Sequence, residues 1–419
     1  MTKQLSKRKI VVKFGGSSLA DHERMLKAVN SVVNEAKRGT KIAVVVSAMG
    51  KTTDVLLTTA KNTSNGKLAK HELDDILSMG ERTSVRIFST ALRNNGVDSC
   101  YFDPMDSNWP IITDDKFQNA NPDVKACTKN IAEYVLPIVE KGTIPVIAGF
   151  VGKTKEGKIT TLGRGGSDTT AFLLAEGIAA DQVVLVTDAE GIMSSDPKII
   201  QAPQRLHTID VNTLVGLADS GAKFIHSKAL KYKPKTIDVK VISNAYGDLN
   251  REGTIITGGL ATELDAEIAH QTPVAEITVI GNGLSANPQV ITQMIEKVKE
   301  NTVLLGMSMN TNSIILYVPQ TENIAQLFNQ LHQITVSNKE TIAMAVKRDL
   351  VFIKTSGVGL EETHGIIGRI SEDLRVNGIN ISGILTITSS ILLFVDWNER
   401  EKALKLIKTR SSHIRGNSN

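Results

Sequence analysis

The stretch "TLGRGGSDTTAFLLAEGI", residues 161–178, sets three glycines and an arginine in four consecutive positions and then turns into a helical pattern. Glycine-rich backbone leads into Ser167 and Asp168, and Ala171, Leu174, Ala175 and Ile178 recur at helical spacing. The N–H groups that open such a helix lack partners inside it and suit an anion. Arg164, between glycines, carries a planar fork suited to a carboxylate or a phosphate. Ser167 and Asp168 are also natural caps, so one of them is expected to cap the helix. Directly afterwards "QVVLVTDAEG" (182–191) reads as a strand with a functional loop at its end.

Outward from this segment, "IVVKF" (10–14), "IAVVVS" (42–47), "IPVIAGF" (144–150) and "VKVISN" (239–244) read as further strands. Between the first two, Asp21 caps a helix with apolar positions Met25, Leu26, Val29, Val32, Val33 and Ala36, and Gly39 ends it. Strands alternating with helical segments over the first 260 residues or so argue for an α/β domain with a largely parallel sheet. Ligands of such sheets bind at the C-terminal ends of the strands.

The pattern becomes small and polar at 258–273, which marks a domain boundary. Beyond it the chain repeats itself: 304–318 aligns without gaps on 381–395, pairing Gly306 with Gly383, Thr311 with Thr388, Ser313 with Ser390, Ile314 with Ile391, Leu316 with Leu393 and Val318 with Val395. Helical stretches at 288–300 and 361–376 precede the units, others at 321–332 and 398–409 follow them, and strands fall at 275–280 and 350–355. Each copy is a compact β-α-β-β-α module, and two copies make a tandem, not a solenoid.

Length allows two or three domains in the 419 residues. Apolar content of 41%, 22% charged residues and a formal charge of +4 are those of an ordinary soluble protein and give no sign of a nucleic-acid binder. The basic start, Lys3, Lys7, Arg8 and Lys9, precedes an apolar run too short for a signal peptide or a membrane span. Cys100 and Cys127 show neither metal spacing nor a disulfide framework, which fits a reducing cytoplasm and plain core roles.

Several other stretches carry chemistry. In "VVKFGGSSLA" (11–20) Lys13 ends a strand and is followed by Gly15 and Gly16, an arrangement that holds a phosphoryl group or simply places a solvated lysine before a turn. It is neither a P-loop nor a dinucleotide fingerprint. "VVVSAMGKTTD" (44–54) offers Ser47, Thr52, Thr53 and the backbone of Gly50. "ILSMGERTSV" (76–85) sets Glu81 in an apolar helical stretch, where a carboxylate needs a cationic partner, in a surface salt bridge or in a ligand. "VTDAEGIMSSDPK" (186–198) leaves a strand through Thr187 and Asp188 to a turn with Asp196, Pro197 and Lys198, suited to a nucleotide or merely polar.

In order, Lys13-Phe14-Gly15-Gly16-Ser17-Ser18, Val46 to Thr53, Gly80-Glu81, Ala148-Gly149-Phe150, Thr161 to Asp168 and Thr187-Asp188 resemble the aspartate kinase family, and the repeated modules look like its paired ACT domains. The resemblance implies an amino-acid-kinase-type three-layer α/β domain with a mostly parallel sheet over 1–262, then two ferredoxin-like α+β ACT domains over 270–340 and 341–412. It implies transfer of the γ-phosphoryl of ATP, with Mg²⁺, to the side-chain carboxylate of L-aspartate, the step that opens the route to lysine, threonine and methionine. Lys13 and Asp168 are then catalytic. Thr53, Glu81, Phe150, Arg164 and Ser167 bind aspartate, with Arg164 on its α-carboxylate and Glu81 on its ammonium. Lys13, Phe14, Gly15, Gly16, Ser47, Thr187, Asp188, Met193, Asp196, Pro197 and Lys198 bind ATP.

Two departures bear on the nucleotide: relatives often carry an aromatic residue and then Thr-Thr-Asp-Pro-Arg where this chain has Met193 to Lys198, and a His-Pro-Arg-Ala stretch appears here as His226-Ser227-Lys228-Ala229. Altered nucleotide affinity is the expectation from both. The ACT pair implies an effector amino acid, lysine, threonine or both, with candidate contacts at Ser285, Asn287, Pro288 and Gln289 and at Leu360, Glu361 and Thr363, where a strand yields to a helix start. It also implies a homodimer or larger assembly. The competing readings are another amino-acid-kinase enzyme, acting on glutamate or acetylglutamate, and a catalytically inactive amino-acid sensor.

Overall fold

The computed structural model describes residues 8–65, 67–196, 199–219, 225–260, 265–356, 365–387 and 390–413. The chain divides into two compact units, Met1–Leu260 and Ala261–Asn419.

The first unit opens with β1 (Lys9–Phe14), α1 (His22–Lys37), β2 (Lys41–Val46), α2 (Thr52–Thr63), the long α3 (Lys70–Asn94) and β3 (Ser99–Phe102). After α4 (Val124–Asn130) and α5 (Leu136–Lys141) come β4 (Ile144–Ala148), the hairpin of β5 (Val151–Lys153) and β6 (Ile159–Thr161), α6 (Gly166–Gly177) and β7 (Gln182–Thr187). β8 (Thr208–Asp210), α7 (Val211–Asp219), α8 (Ser227–Leu230), β9 (Asp238–Ser243) and β10 (Thr254–Thr257) complete it. Eight strands form one sheet in the order β3-β4-β2-β1-β7-β9-β10-β8, parallel throughout except between β9 and β10. Successive residues of the central strands, Val11 and Val12, Val44 and Val45, Val183 and Val184, are all buried, so both faces are covered and the domain has three layers.

The local signals act as their chemistry requires. Asp21 Oδ1 accepts from Arg24 N at 2.9 Å to start α1, and Gly39 leaves it at φ +91°. Register sets the ends of β1, β2, β4 and β7 side by side, with Phe14 beside Val46 and Val186, and Val46 beside Ala148. The loops after these strands therefore emerge along one edge of the sheet.

The second unit holds β11 (Asp265–Ile268), β12 (Val274–Gly281), α9 (Pro288–Asn301), β13 (Gly306–Met309), β14 (Ser313–Pro319), α10 (Ile324–Ser337), β15 (Thr341–Ser356), α11 (Ile366–Val376), β16 (Ile381–Thr386), β17 (Ser390–Asp396) and α12 (Arg400–His413). All seven strands join one antiparallel sheet. One core gathers Ile277, Leu316, Met294 and Leu327 under α9 and α10, and a second gathers Ile353, Leu393, Ile370 and Ile407 under α11 and α12.

The junction between the modules does not fall between 340 and 341 as expected. Residues 341–347 of β15 pair with β12 in the first module, and 350–356 pair with β17 in the second. The strand changes module at Asp349, whose φ is +56°, beside a shift in register. β11 closes the other side of the second half of β15, pairing Asp265 with Ser356 through Ile268 with Ile353. Each copy thus has a fourth strand that the repeat alone does not show.

One of the repeat's identities, Gly306 with Gly383, has a packing reason. Tyr317 and Phe394 occupy equivalent positions and stack on each other, centroids 3.7 Å apart and planes 6° off parallel. A Cβ on Gly383 would fall 2.1 Å from the Tyr317 hydroxyl, and one on Gly306 would fall 2.8 Å from Leu385. Glycine at both positions lets the rings meet.

Candidate active site

Lys13 ends β1 and Asp168 lies in the first turn of α6, and Lys13 Nζ stands 2.7 Å from Asp168 Oδ1 with both side chains about five-sixths buried. Ser47, just past β2, donates its hydroxyl to Ser167 Oγ at 2.9 Å. The residue that opens α6 is Gly165, in the left-handed region at φ +75°, and no side chain caps the helix. The expectation that Ser167 or Asp168 is the cap is therefore wrong. Both side chains are turned instead toward Ser47 and Lys13, and the start of α6 keeps its field for an anion.

The glycines around this group are needed for close approach. A Cβ on Gly16 would meet Ala48 O at 2.8 Å, and one on Gly149 would meet Ser167 at 2.7 Å. Gly50 N donates to Gly16 O at 3.0 Å and Gly15 N to Val186 O at 3.2 Å, which ties the loops after β1, β2 and β7 together. Phe14 lends the site its backbone alone, since Ser47 N donates to Phe14 O while the Phe14 ring is buried 5.4 Å from that of Phe88.

Gly80 lets α3 press on the same loop, because a Cβ there would meet Ala48 Cβ at 2.7 Å. Glu81 follows it, 3% exposed. One oxygen accepts from Ala48 N at 3.0 Å, and the other, Oε2, is buried without a donor among the described residues. Burial pushes its carboxyl up to about 7, partly offset by the Ala48 N–H. The surface salt bridge that the sequence left open is excluded.

Arg164 is exposed on the glycine loop and makes no ion pair or hydrogen bond among the described residues. Phe150 sits in the left-handed region at φ +66°, accepts from Leu162 N at 2.8 Å and packs on the small α2–α3 cluster of Ala60, Leu73 and Leu77. A non-glycine residue held there is backbone strain next to a site. Thr53 is half-buried in the first turn of α2.

Farther along the sheet, Thr187 ends β7 and donates its hydroxyl to Asp188 Oδ1 at 3.0 Å. Met193 is half-buried and bridges backbone to backbone with Arg205, and Asp196 is half-buried near it. Pro197 and Lys198 lie outside the described residues, as do Leu360, Glu361 and Thr363. In the second unit Leu284 to Ala286, which includes Ser285, form a short turn, Asn287 caps α9 by accepting from Val290 N at 3.4 Å, and Pro288 and Gln289 begin the helix.

Near the glycine loop Asp74 escaped the sequence reading, and Lys228 has a place that the sequence did not show. Asp74, fully buried on α3, accepts from Thr161 N at 2.9 Å, Thr161 Oγ1 at 2.9 Å and Gln118 N at 2.8 Å. Lys228 Nζ donates to Leu162 O and Asn119 Oδ1, each at 2.6 Å, and to Ala120 O at 3.1 Å. Lys228 is thus engaged with the carbonyls that flank the Arg164 loop, a different task from the nucleotide contact expected of it. The signal for Asp74 was a second acidic residue seven positions before Glu81, on the same helix face.

The model of the amino acid kinase family matches residues 8–243. An aspartokinase from Bacillus sp. is 30% identical over 95% of this chain and 96% of its own, and aspartokinase 2 of Bacillus subtilis is 28% identical over 94% of this chain and 96% of its own. The chain belongs to the aspartokinase family. As an aspartokinase it transfers a phosphoryl group from ATP to the side-chain carboxylate of L-aspartate. Among solved structures, an aspartate kinase from Synechocystis superposes with a TM-score of 0.77 at 24% identity, covering 96% of this chain and 69% of that one. E. coli aspartokinase III, in complex with aspartate and ADP, superposes with a TM-score of 0.56 at 21% identity over 96% of this chain and 99% of its own. This likeness establishes for the aspartokinase the fold of a kinase domain followed by ACT domains. Among the described residues no helix is long and apolar enough to cross a membrane.

Proposed function

We propose that the two unpaired opposite charges, Glu81 and Arg164, clamp the backbone of aspartate, and that Lys13, Ser47 and the start of α6 hold the phosphoryl group in transit. The observation that carries this reading is the buried Glu81 Oε2 with no donor. Left ionised and unpaired, such an oxygen is costly, and an ammonium satisfies it. Arg164 then takes the α-carboxylate, with Thr53, Phe150 and Ser167 lining the pocket, and the side-chain carboxylate points toward Lys13.

In the transfer, a carboxylate oxygen forms a bond to the γ-phosphorus as the bond from that phosphorus to the bridging β-γ oxygen breaks, and ADP departs with the electron pair. No proton is abstracted, because the attacking carboxylate is ionised at neutral pH. Catalysis is positioning and charge neutralisation. Lys13 meets the charge on the γ-phosphoryl, Asp168 holds the ammonium in place, and Gly15 and Gly16 leave phosphate oxygens room against the backbone. Thr187, Asp188, Met193 and Asp196, with Pro197 and Lys198, form the nucleotide side. Mg²⁺ bound to ATP would supply further neutralisation of the phosphates; among the described residues no three acidic, histidine or cysteine side chains converge to hold it alone. We place the enzyme in the cytoplasm as a homodimer or larger assembly.

Arg164→Leu is the direct test. It should raise KM for aspartate by about 100-fold with KM for ATP within about twofold, since a charge-assisted bidentate contact is lost from one substrate only. An unchanged KM for aspartate would remove Arg164 from the clamp.

The E. coli relative has also been solved with lysine and aspartate in a T-state. We propose that the second unit here likewise binds an end-product amino acid, lysine, threonine or both, using the region of Ser285 to Gln289, with the segment of Leu360, Glu361 and Thr363 as the second candidate. Calorimetry should show heat with at least one of them and inhibition by the same one. No heat with either would sink this assignment.

A further inference from the structure

We infer that Asp74 and Lys228 are positioning residues that set Arg164 against Glu81, so that α3 fixes the spacing of both halves of the aspartate clamp. This rests on the clamp proposed above.

Arg164 has no partner of its own among the described residues, and Gly163 and Gly165 on either side are in the left-handed region at φ +73° and +75°. A loop so free is placed by its anchors. Thr161, the last residue of β6, is held to Asp74 through both its N–H and its hydroxyl. At the next residue, Lys228 Nζ ties Leu162 O to the neighbouring segment through Asn119 O, Asn119 Oδ1 and Ala120 O. Asn119 in turn walls the loop, since a Cβ on Gly163 would fall 2.7 Å from its Oδ1. Gln118 N, in the same wall, is bound to Asp74 as well.

Asp74 precedes Glu81 by seven residues, two turns of one helix, so both face the same side about 10 Å apart along the axis. The helix that presents the ammonium partner is the one that anchors the carboxylate partner's loop. Every group bound to Asp74 is a neutral donor, and no cation pairs with it among the described residues. Its work is hydrogen bonding, not charge. An asparagine can do the same: its oxygen takes the two N–H groups, and its NH₂ donates to the Thr161 hydroxyl, which turns to accept.

The test compares Asp74→Ala, Asp74→Asn and Lys228→Met by steady-state kinetics in both substrates, with thermal midpoints alongside. Misplacing a binding group by about 1 Å costs up to roughly 100-fold, so D74A and K228M should each raise KM for aspartate by about 10- to 100-fold and leave KM for ATP within about twofold. D74N should recover most of the loss, and D74A should add little on top of R164L because both act on one contact. If D74A does not fold, K228M and D74N decide. The inference falls if KM for aspartate stays put in K228M and D74A, or if both KM values rise together. R164L separates the two failures: an unchanged R164L overturns the clamp itself, whereas a damaged R164L beside unaffected D74A and K228M overturns only the positioning.

Discussion

Lys13→Met is expected to lower kcat by about 10²- to 10³-fold, the loss usual for one preorganised donor to developing charge, with KM for aspartate little changed. Methionine keeps the stem of the side chain and removes the ammonium. The residual Asp168 carboxylate, 15% exposed, then repels the phosphates that Lys13 had drawn in. Asp168→Asn alone should also reduce kcat, by releasing the lysine from a fixed position, and K13M with D168N should be no worse than K13M. Steady-state kinetics with a coupled ADP assay checks both. A kcat for K13M within about threefold of the parent would show that the 2.7 Å pair is only structural.

Glu81 gives the second large effect. Glutamine at this position retains an oxygen for the Ala48 N–H and loses the charge opposite the substrate's ammonium. KM for aspartate should rise by about 100-fold or more, as when one partner of a buried ion pair is removed. The parent enzyme should show the same loss through pH. Burial pushes its Glu81 carboxyl up to about 7, so below pH 7 each unit should raise KM for aspartate by about tenfold. The γ-phosphate of ATP titrates nearby, so E81Q is the control, and its profile should be flat where the parent's slopes.

Stability moves in the opposite sense. The folded pKa is above the unfolded value, so between about pH 4.5 and 7 the folded protein binds more protons. Glu81 therefore adds stability at the acid end of that window, and the gain is lost as pH rises through 7. Substrate-free parent enzyme should melt lower at pH 7.5 than at pH 5.5 by an increment that E81Q lacks. Equal slopes in parent and variant would mean that Glu81 is not the titrating group.

The sequence made much of this site readable because its parts are short and local. Lys13 at a strand end before glycines, Arg164 between glycines and Glu81 in an apolar helix each break a local rule, and such breaks mark function. The supports were hidden because their partners are remote. Asp74 and Thr161 are 87 residues apart, and Lys228 and Leu162 are 66 apart. Ser167 and Asp168 misled for a related reason: a helix start makes either a good cap, and only the fold shows Ser47 and Lys13 competing for them. In the second unit, the first half of β15 is largely exposed and lacks a clean alternation, so only its apolar second half was visible as a strand. β11, four residues long in a polar stretch, read as linker.

That short strand changes how the repeated modules are connected. The chain lays down the opening strand of the second module, leaves to build the whole of the first, and returns along β15 to finish what it began. The copies are nested, not serial. The first module is an insert tethered at both its ends, by Ile268 before it and Leu350 after it, to one sheet. Whatever tilts the insert pulls on its host through two covalent leads at once, a harness instead of a hinge.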